Sequence, residues 1–327
     1  MATMLYREAL NQALREEMLR DDNVMLMGED IGLFDGSFKV TQGLYKEFGE
    51  RRVKDTPISE DGFVGMGVGA ALVGLRPVVE IMTINFSLLA TDQVVNHAAK
   101  MRYMFGGKAS VPIVIRMPGG GGHQLGAQHS QSLEAWYANI PGLIVVAPAT
   151  AADAKGMLKS AIRDDNPVVF IENEGLYNTR GEVPDEEFLT PLDKADVKRQ
   201  GTDVSLVAHS RMVLLALQAA EQLEADGISA EVVDLRSLRP LDAETLRQSV
   251  EKTNHAVLIE EGWGSYGITA ETAATIYEAA FDYLEAPRVR ISGVEVPMPY
   301  AKRMEAACIP TVEQIVAGAK RALGRHA

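Results

Sequence analysis

A single cysteine, Cys308, rules out any intramolecular disulfide in this chain of 327 residues. A core of this size needs none, and the scarcity fits a reducing compartment. Cys308 stands two residues before Pro310, near the C-terminus and outside any nucleophile signature, so it is not read as a catalytic thiol. Basic residues are in deficit: 32 Lys and Arg against 45 Asp and Glu give a net charge of −13. That balance argues against nucleic-acid binding and would favour a basic protein partner. No uninterrupted apolar run is long enough to cross a bilayer, so no membrane partner is expected. The opening residues Met1-Ala2-Thr3-Met4-Leu5-Tyr6-Arg7-Glu8 mix both charges and lack a signal-peptide core. A cytoplasmic protein is the simplest expectation, although a mature matrix protein of an organelle would look the same.

Several chemical signatures are missing as well. Gly65-Met66-Gly67-Val68-Gly69 is not GxGxxG and sits inside an apolar helix, which weakens any dinucleotide site. There is no GxxxxGK[ST], no HExxH and no CxxC. Ser87 and Ser130 lack a GxSxG setting. No loop suited to a diphosphate is present.

What is there is an α/β pattern. Hydrophobic residues make up 46% and charged residues 24% of the chain, ordinary values for a globular protein. The length suggests two domains at about 100–200 residues each. Tyr6, Ala9, Leu10, Ala13, Leu14 and Met18 share one helical face. Apolar runs at Val24–Met27, Pro77–Met82, Pro112–Arg116, Leu143–Ala147 and Val168–Glu172 alternate with helical stretches. Continuous apolar strands of this kind mean a parallel sheet covered on both faces. A second α/β unit has strands at Val204–Ala208, Ala230–Leu235, Ala256–Glu260 and Val289–Val294. The expected boundaries are a first domain over 1–185, a linker over 186–202 and a second domain over 203–327.

The polar residues worth attention cluster at strand ends. Glu29 and Glu60 follow the first two strand segments, where ligands bind in open α/β sheets. Either carboxylate could simply cap a helix or pair with a cation. Either could instead hydrogen-bond a protonatable ring nitrogen of a cofactor. His129 sits in Gln128-His129-Ser130-Gln131, just past Gly119-Gly120-Gly121-Gly122-His123. A histidine beside a mobile loop suits acid–base work near neutral pH, or it is a surface histidine held by its neighbours. Met82 and Phe86 are plain core or the walls of a pocket for a flat heterocycle.

Taken together, these strings resemble one family. Met27-Gly28-Glu29-Asp30, Asp55-Thr56-Pro57-Ile58-Ser59-Glu60, Gly74-Leu75-Arg76-Pro77 and Asp92-Gln93-Val94-Val95-Asn96 come in its order. Gln128-His129-Ser130-Gln131, Pro141-Gly142-Leu143, Asp153-Ala154-Lys155-Gly156 and Val296-Pro297-Met298-Pro299-Tyr300-Ala301-Lys302 follow. The chain is similar, over essentially its whole length, to the β subunit of thiamine-diphosphate-dependent 2-oxo acid dehydrogenases, with the pyruvate branch the nearest match.

That resemblance implies an N-terminal pyrimidine-binding, transketolase-like domain and a C-terminal domain of the transketolase C-terminal type. It implies a partner: an α subunit that holds the diphosphate through Mg²⁺ with a GDG motif, which this chain lacks. Two α and two β chains would then share the cofactor sites and serve a lipoyl acyltransferase component. Glu60 matches the glutamate that bonds the pyrimidine ring nitrogen, and His129 matches a histidine near the reacting centre that would orient or protonate the lipoyl group. Met82 and Phe86 match residues packed on the pyrimidine, and Glu29 matches an acidic residue near the cofactor. Ile113, Ala161, Ile162, Asp164 and Asn166 match a structural K⁺ site made mainly of main-chain oxygens. The glycine-rich helix over 62–74 is expected to lie against another subunit. The implied reaction decarboxylates pyruvate and passes the acyl group to lipoyl-lysine. The rivals are the same fold acting on branched-chain 2-oxo acids or acetoin, a self-contained transketolase-like enzyme, and a non-catalytic assembly subunit docking the acyltransferase core.

Overall fold

The computed structural model describes residues 1–325. The chain separates into two compact units. One holds Met1–Gly119 and Trp136–Leu192; the other holds Gly120–Ala135 and the chain from Asp193 onward.

In the first unit six parallel strands lie in the order Ile144–Val146, Val168–Asn173, Val114–Gly119, Arg76–Glu80, Val24–Gly28 and Val53–Asp55. Their residues are almost all buried, which is why the sequence shows unbroken apolar runs rather than alternation. Helix Tyr6–Arg20 buries the face that the 3.6-residue spacing predicts: Tyr6, Ala9, Leu10, Ala13, Leu14 and Met18. It packs on helix Ala151–Arg163. Lys155 and Lys159 both bond Glu16, at 2.8 and 2.7 Å, and Arg163 pairs with the buried Glu17 at 2.6 Å. A short antiparallel pair, Ala2–Leu5 with Arg180–Val183, joins the two ends of the unit.

The glycine-rich helix runs over Glu60–Leu72. Its glycines do two different things. A Cβ on Gly67 would stand 2.6 Å from Val79 Cγ2 and 3.1 Å from Ile113 Cδ1. Gly67 therefore lets the helix lie close on its own sheet. Gly69, by contrast, is exposed, and a Cβ there would meet nothing within 4 Å among the described residues.

In the second unit the strand order is Val289–Gly293, Ala256–Trp263, Val204–Ala208, Ala230–Asp234 and Asp196–Arg199. The first four run parallel and the last is antiparallel. Helices Met212–Ala225, Ala243–Thr253, Ile268–Ala280 and Val312–Ala322 pack on this sheet. Asp242 and Thr311 cap two of them by accepting from Thr245 N–H and Gln314 N–H.

Two details differ from the boundaries read off the sequence. Asp196–Arg199, inside the expected 186–202 linker, is an edge strand with all four residues half-buried. An edge strand needs no apolar run, so its pattern passes for a loop. The segment Gly120–Ala135, expected in the first domain, packs with the second unit because carboxylates there hold its backbone.

Candidate active site

Three neighbouring strands deliver the expected residues to one edge of the first sheet. Val24–Gly28 leads into Glu29, Val53–Asp55 leads through Thr56–Ser59 into Glu60, and Arg76–Glu80 leads into Met82 and Phe86. The chains cross closely here. A Cβ on Gly28 would lie 2.6 Å from the Glu80 carbonyl oxygen, so only glycine fits. Thr56 N–H donates to the Gly28 carbonyl at 2.9 Å. Asp55 accepts from Gly32 N–H at 2.6 Å and Leu33 N–H at 3.0 Å, which fixes the loop after Glu29.

Glu60 is buried, 3% exposed, in the first turn of helix Glu60–Leu72. The positive end of the helix dipole makes that position tolerable for a carboxylate. Glu29 is also buried. Burial, then the charge of Glu60, then that of Asp30, push its carboxyl up to about 7. Its Oε1 is buried and has no hydrogen-bond partner among the described residues, and the same is true of Thr56 Oγ1. Orphaned buried oxygens in a native protein call for an explanation, and a ligand with a donor at that place is one. Met82 and Phe86 are half-buried, with the turn between them closed by Phe86 N–H donating to the Thr83 carbonyl at 2.9 Å. These residues fit a flat, nitrogen-bearing ring: carboxylates for its polar edge and an apolar side for its face.

Beneath this edge lies a charge network that the sequence reading missed. Arg116, 1% exposed, donates to Glu172 through Nε and Nη2, both at 2.7 Å, and to Glu80 through Nη1. Tyr177 Oη donates to Glu172 Oε2 at 2.7 Å. Burial, then the Glu172 charge, raise the Tyr177 phenol well above its ordinary value and keep it a donor. The signal was an arginine inside the apolar run Val111–Met117, which is affordable only with buried acidic partners. The register places Glu80 directly beside Arg116.

His129 lies in the second unit, half-buried on the loop Gly120–Ala135, with its N–H donating to the Gly126 carbonyl at 3.3 Å. The five residues matched to K⁺ are in the first unit. Ile162 and Asp164 offer their carbonyls to Arg76 Nη1, both at 3.0 Å. Asp164 Oδ1 accepts from the Asn166 backbone N–H at 2.7 Å and side-chain amide at 2.9 Å. The Ile113 carbonyl accepts from Val168 N–H at 2.9 Å. Each carbonyl has a second lone pair, and Ala161 and Ile162 stand at the negative end of helix Ala151–Arg163. Among the described residues, no group of three or more His, Cys, Asp or Glu could hold a metal ion.

Fold and site edge together define a transketolase-like class. The family model described as "Transketolase, pyrimidine binding domain" matches residues 2–180, and "Transketolase, C-terminal domain" matches 193–315. A solved structure described as "Split gene transketolase, inactive beta4 tetramer" superposes with a TM-score of 0.80 at 26% identity, covering 99% of each chain. Curated relatives narrow the class. "Pyruvate dehydrogenase E1 component subunit beta, mitochondrial" from Caenorhabditis elegans is 54% identical, over 98% of this chain and 93% of its own. The Bos taurus protein of the same name is 52% identical, over 97% and 90%. "Pyruvate dehydrogenase E1 component subunit beta-1, mitochondrial" from Oryza sativa subsp. japonica is 53% identical, over 98% and 87%. The chain belongs to the pyruvate dehydrogenase E1 β-subunit family, a thiamine-diphosphate-dependent, transketolase-like family.

The preference for a cytoplasmic protein is corrected by the same relatives, each of which is named mitochondrial. Composition does not bear on the point, because targeting segments are read apart from the folded domains.

Proposed function

We propose that this chain supplies the pyrimidine-binding half of the active site of a pyruvate dehydrogenase E1 component and works only with an α subunit. The observation that carries the reading is the pair of buried carboxyls, Glu60 at a helix N-terminus and Glu29 with an oxygen that no group among the described residues satisfies. Glu60 would hold a proton against the pyrimidine ring nitrogen. Glu29, lifted to about 7, can give or take a proton at neutral pH beside it. Met82 and Phe86 would pack on the ring face and keep water from it. When bound, thiamine diphosphate supplies the electron sink that a 2-oxo acid needs to lose CO₂.

His129 would orient or protonate the lipoyl group that receives the acetyl unit from the decarboxylated pyruvate. The α subunit would hold Mg²⁺ and the diphosphate, in an assembly of two α and two β chains, with lipoyl-lysine of the acyltransferase component as acceptor. The carbonyls of Ile113, Ala161 and Ile162, with Asp164 and Asn166, would hold a structural K⁺. The names of the relatives support pyruvate over branched-chain 2-oxo acids or acetoin. The raised pKa of Glu29 supports a catalytic over a purely assembling subunit. The test is the α–β assembly carrying Glu60→Gln, assayed for pyruvate decarboxylation with Mg²⁺ and thiamine diphosphate. Loss of turnover in an intact assembly is expected; full turnover would refute the role of Glu60.

A further inference from the structure

A run of four glycines, Gly119–Gly122, should be flexible unless something holds it. In the second unit something does. Glu305, 2% exposed, accepts from Gly122 N–H at 3.0 Å through Oε1 and from Gln124 N–H at 3.0 Å through both oxygens. Glu261 Oε1 accepts from Gly121 N–H at 2.6 Å. Arg211 Nη1 donates to the Gly121 carbonyl at 3.0 Å and lies 3.9 Å from Glu261 Oε2. The backbone is turned for this purpose: Gly122 has φ +106° and Gln124 has φ +58°, both left-handed. Successive N–H groups turned to one side form a nest for an anion, and here carboxylates of the protein itself fill it. At the base, a Cβ on Gly121 would stand 2.8 Å from Met298 Cε and 3.2 Å from Ile309 Cδ1, so the loop is also tightly packed. Gly120 N–H closes the loop on the Gln131 carbonyl at 3.2 Å, and His129 lies inside that closure.

We propose that Glu305, with Glu261 and Arg211, is a positioning residue for His129, setting the acyl-transfer half of the reaction apart from decarboxylation. The claim rests on the reading of His129 given above. A buried carboxylate is costly unless its oxygens are satisfied. Glu305 finds its donors in loop amides, so carboxylate and loop are ordered together. Hydrogen bonds to an ionised carboxylate are roughly twice as strong as neutral ones. Small errors in the placement of a reacting group cost large factors in rate. Releasing the base of the loop therefore misplaces His129 while the residues at Glu60 keep their own supports.

The test is a double-mutant cycle in the α–β assembly, with Glu305→Gln, His129→Asn and both together. Two rates are read: decarboxylation with an artificial electron acceptor, and single-turnover acylation of a free lipoyl domain. Glu305→Gln is expected to slow acylation at least tenfold more than decarboxylation, and to add nothing in the His129→Asn background. Parallel loss of both rates, or a full additional loss in the double variant, overturns the positioning role. If His129→Asn acylates normally, the reading of His129 falls. If His129→Asn is slow and Glu305→Gln is not, only the positioning claim falls. Should Glu305→Gln fail to assemble, Arg211→Met removes the bond to the Gly121 carbonyl and is read in the same cycle, with the same non-additivity expected and simple additivity contradicting it.

Discussion

The charge of Glu60 acts on the buried carboxyl of Glu29: after burial itself, it is the largest cause that lifts Glu29 to about 7. A carboxyl whose pKa is higher folded than unfolded binds more protons in the native state. Stability therefore falls as pH rises from about 4.5 through 7. Glu29→Gln should be near neutral for stability at pH 4.5. Above pH 7 it should raise the melting temperature, by about 2–4 °C for each kcal/mol relieved. Melting curves between pH 4.5 and 8 check this, and an unchanged difference across that window would show that Glu29 titrates normally.

Glu60→Gln keeps the shape of the side chain and removes its proton chemistry. A positioned acid–base group contributes about 10²–10⁴-fold, so pyruvate turnover in the assembled enzyme should fall by at least 100-fold on that scale. Circular dichroism melts of the variant should stay close to those of the parent.

The glycines of helix Glu60–Leu72 should separate folding from assembly. Gly67→Ala pushes a methyl to 2.6 Å from Val79 Cγ2, and overpacking of this kind costs about 1–3 kcal/mol. Urea unfolding of the β chain should show that loss. A Cβ at Gly69 meets nothing within 4 Å among the described residues, so Gly69→Leu should raise the unfolding midpoint, because glycine in a helix interior costs about 0.8–1.0 kcal/mol. If this exposed face meets another subunit, sedimentation of the α–β mixture will show impaired assembly for Gly69→Leu.

Tyr177→Phe leaves one oxygen of the buried Glu172 without its phenol donor. Hydrogen bonds to charged groups contribute about 1.5–3 kcal/mol, and that loss is expected in urea unfolding. Arg116→Met should cost more, about 3–5 kcal/mol, because it strands Glu80 and Glu172 as uncompensated buried charges.

Much of the fold was legible because local pattern and tertiary demand agree. Helix Tyr6–Arg20 follows from its periodic face, and strand Val204–Ala208 from five buried residues in a row. The place of Glu60 at a strand-to-helix junction was legible because a run of strand character gives way there to a glycine-rich helix. Four features were hidden for physical reasons. Asp196–Arg199 is a polar strand at a sheet edge, where polar residues are allowed, and the four-residue strand Ala2–Leu5 is defined only by its pairing with the distant Arg180–Val183. The Arg116 network depends on the alignment of separate strands, which no local window contains. Glu305 reaches its loop across 183 residues of sequence, so a string that reads as flexible is held by a distant carboxylate.

The central claim is that Glu60 and its neighbours serve a cofactor whose other end belongs to a second chain. Calorimetric titration with thiamine diphosphate and Mg²⁺ tests it most directly, on the β chain alone and on the α–β assembly. The assembly should bind the cofactor, Glu60→Gln should weaken that binding, and the β chain alone should give little heat. Tight binding by the isolated β chain would contradict the account.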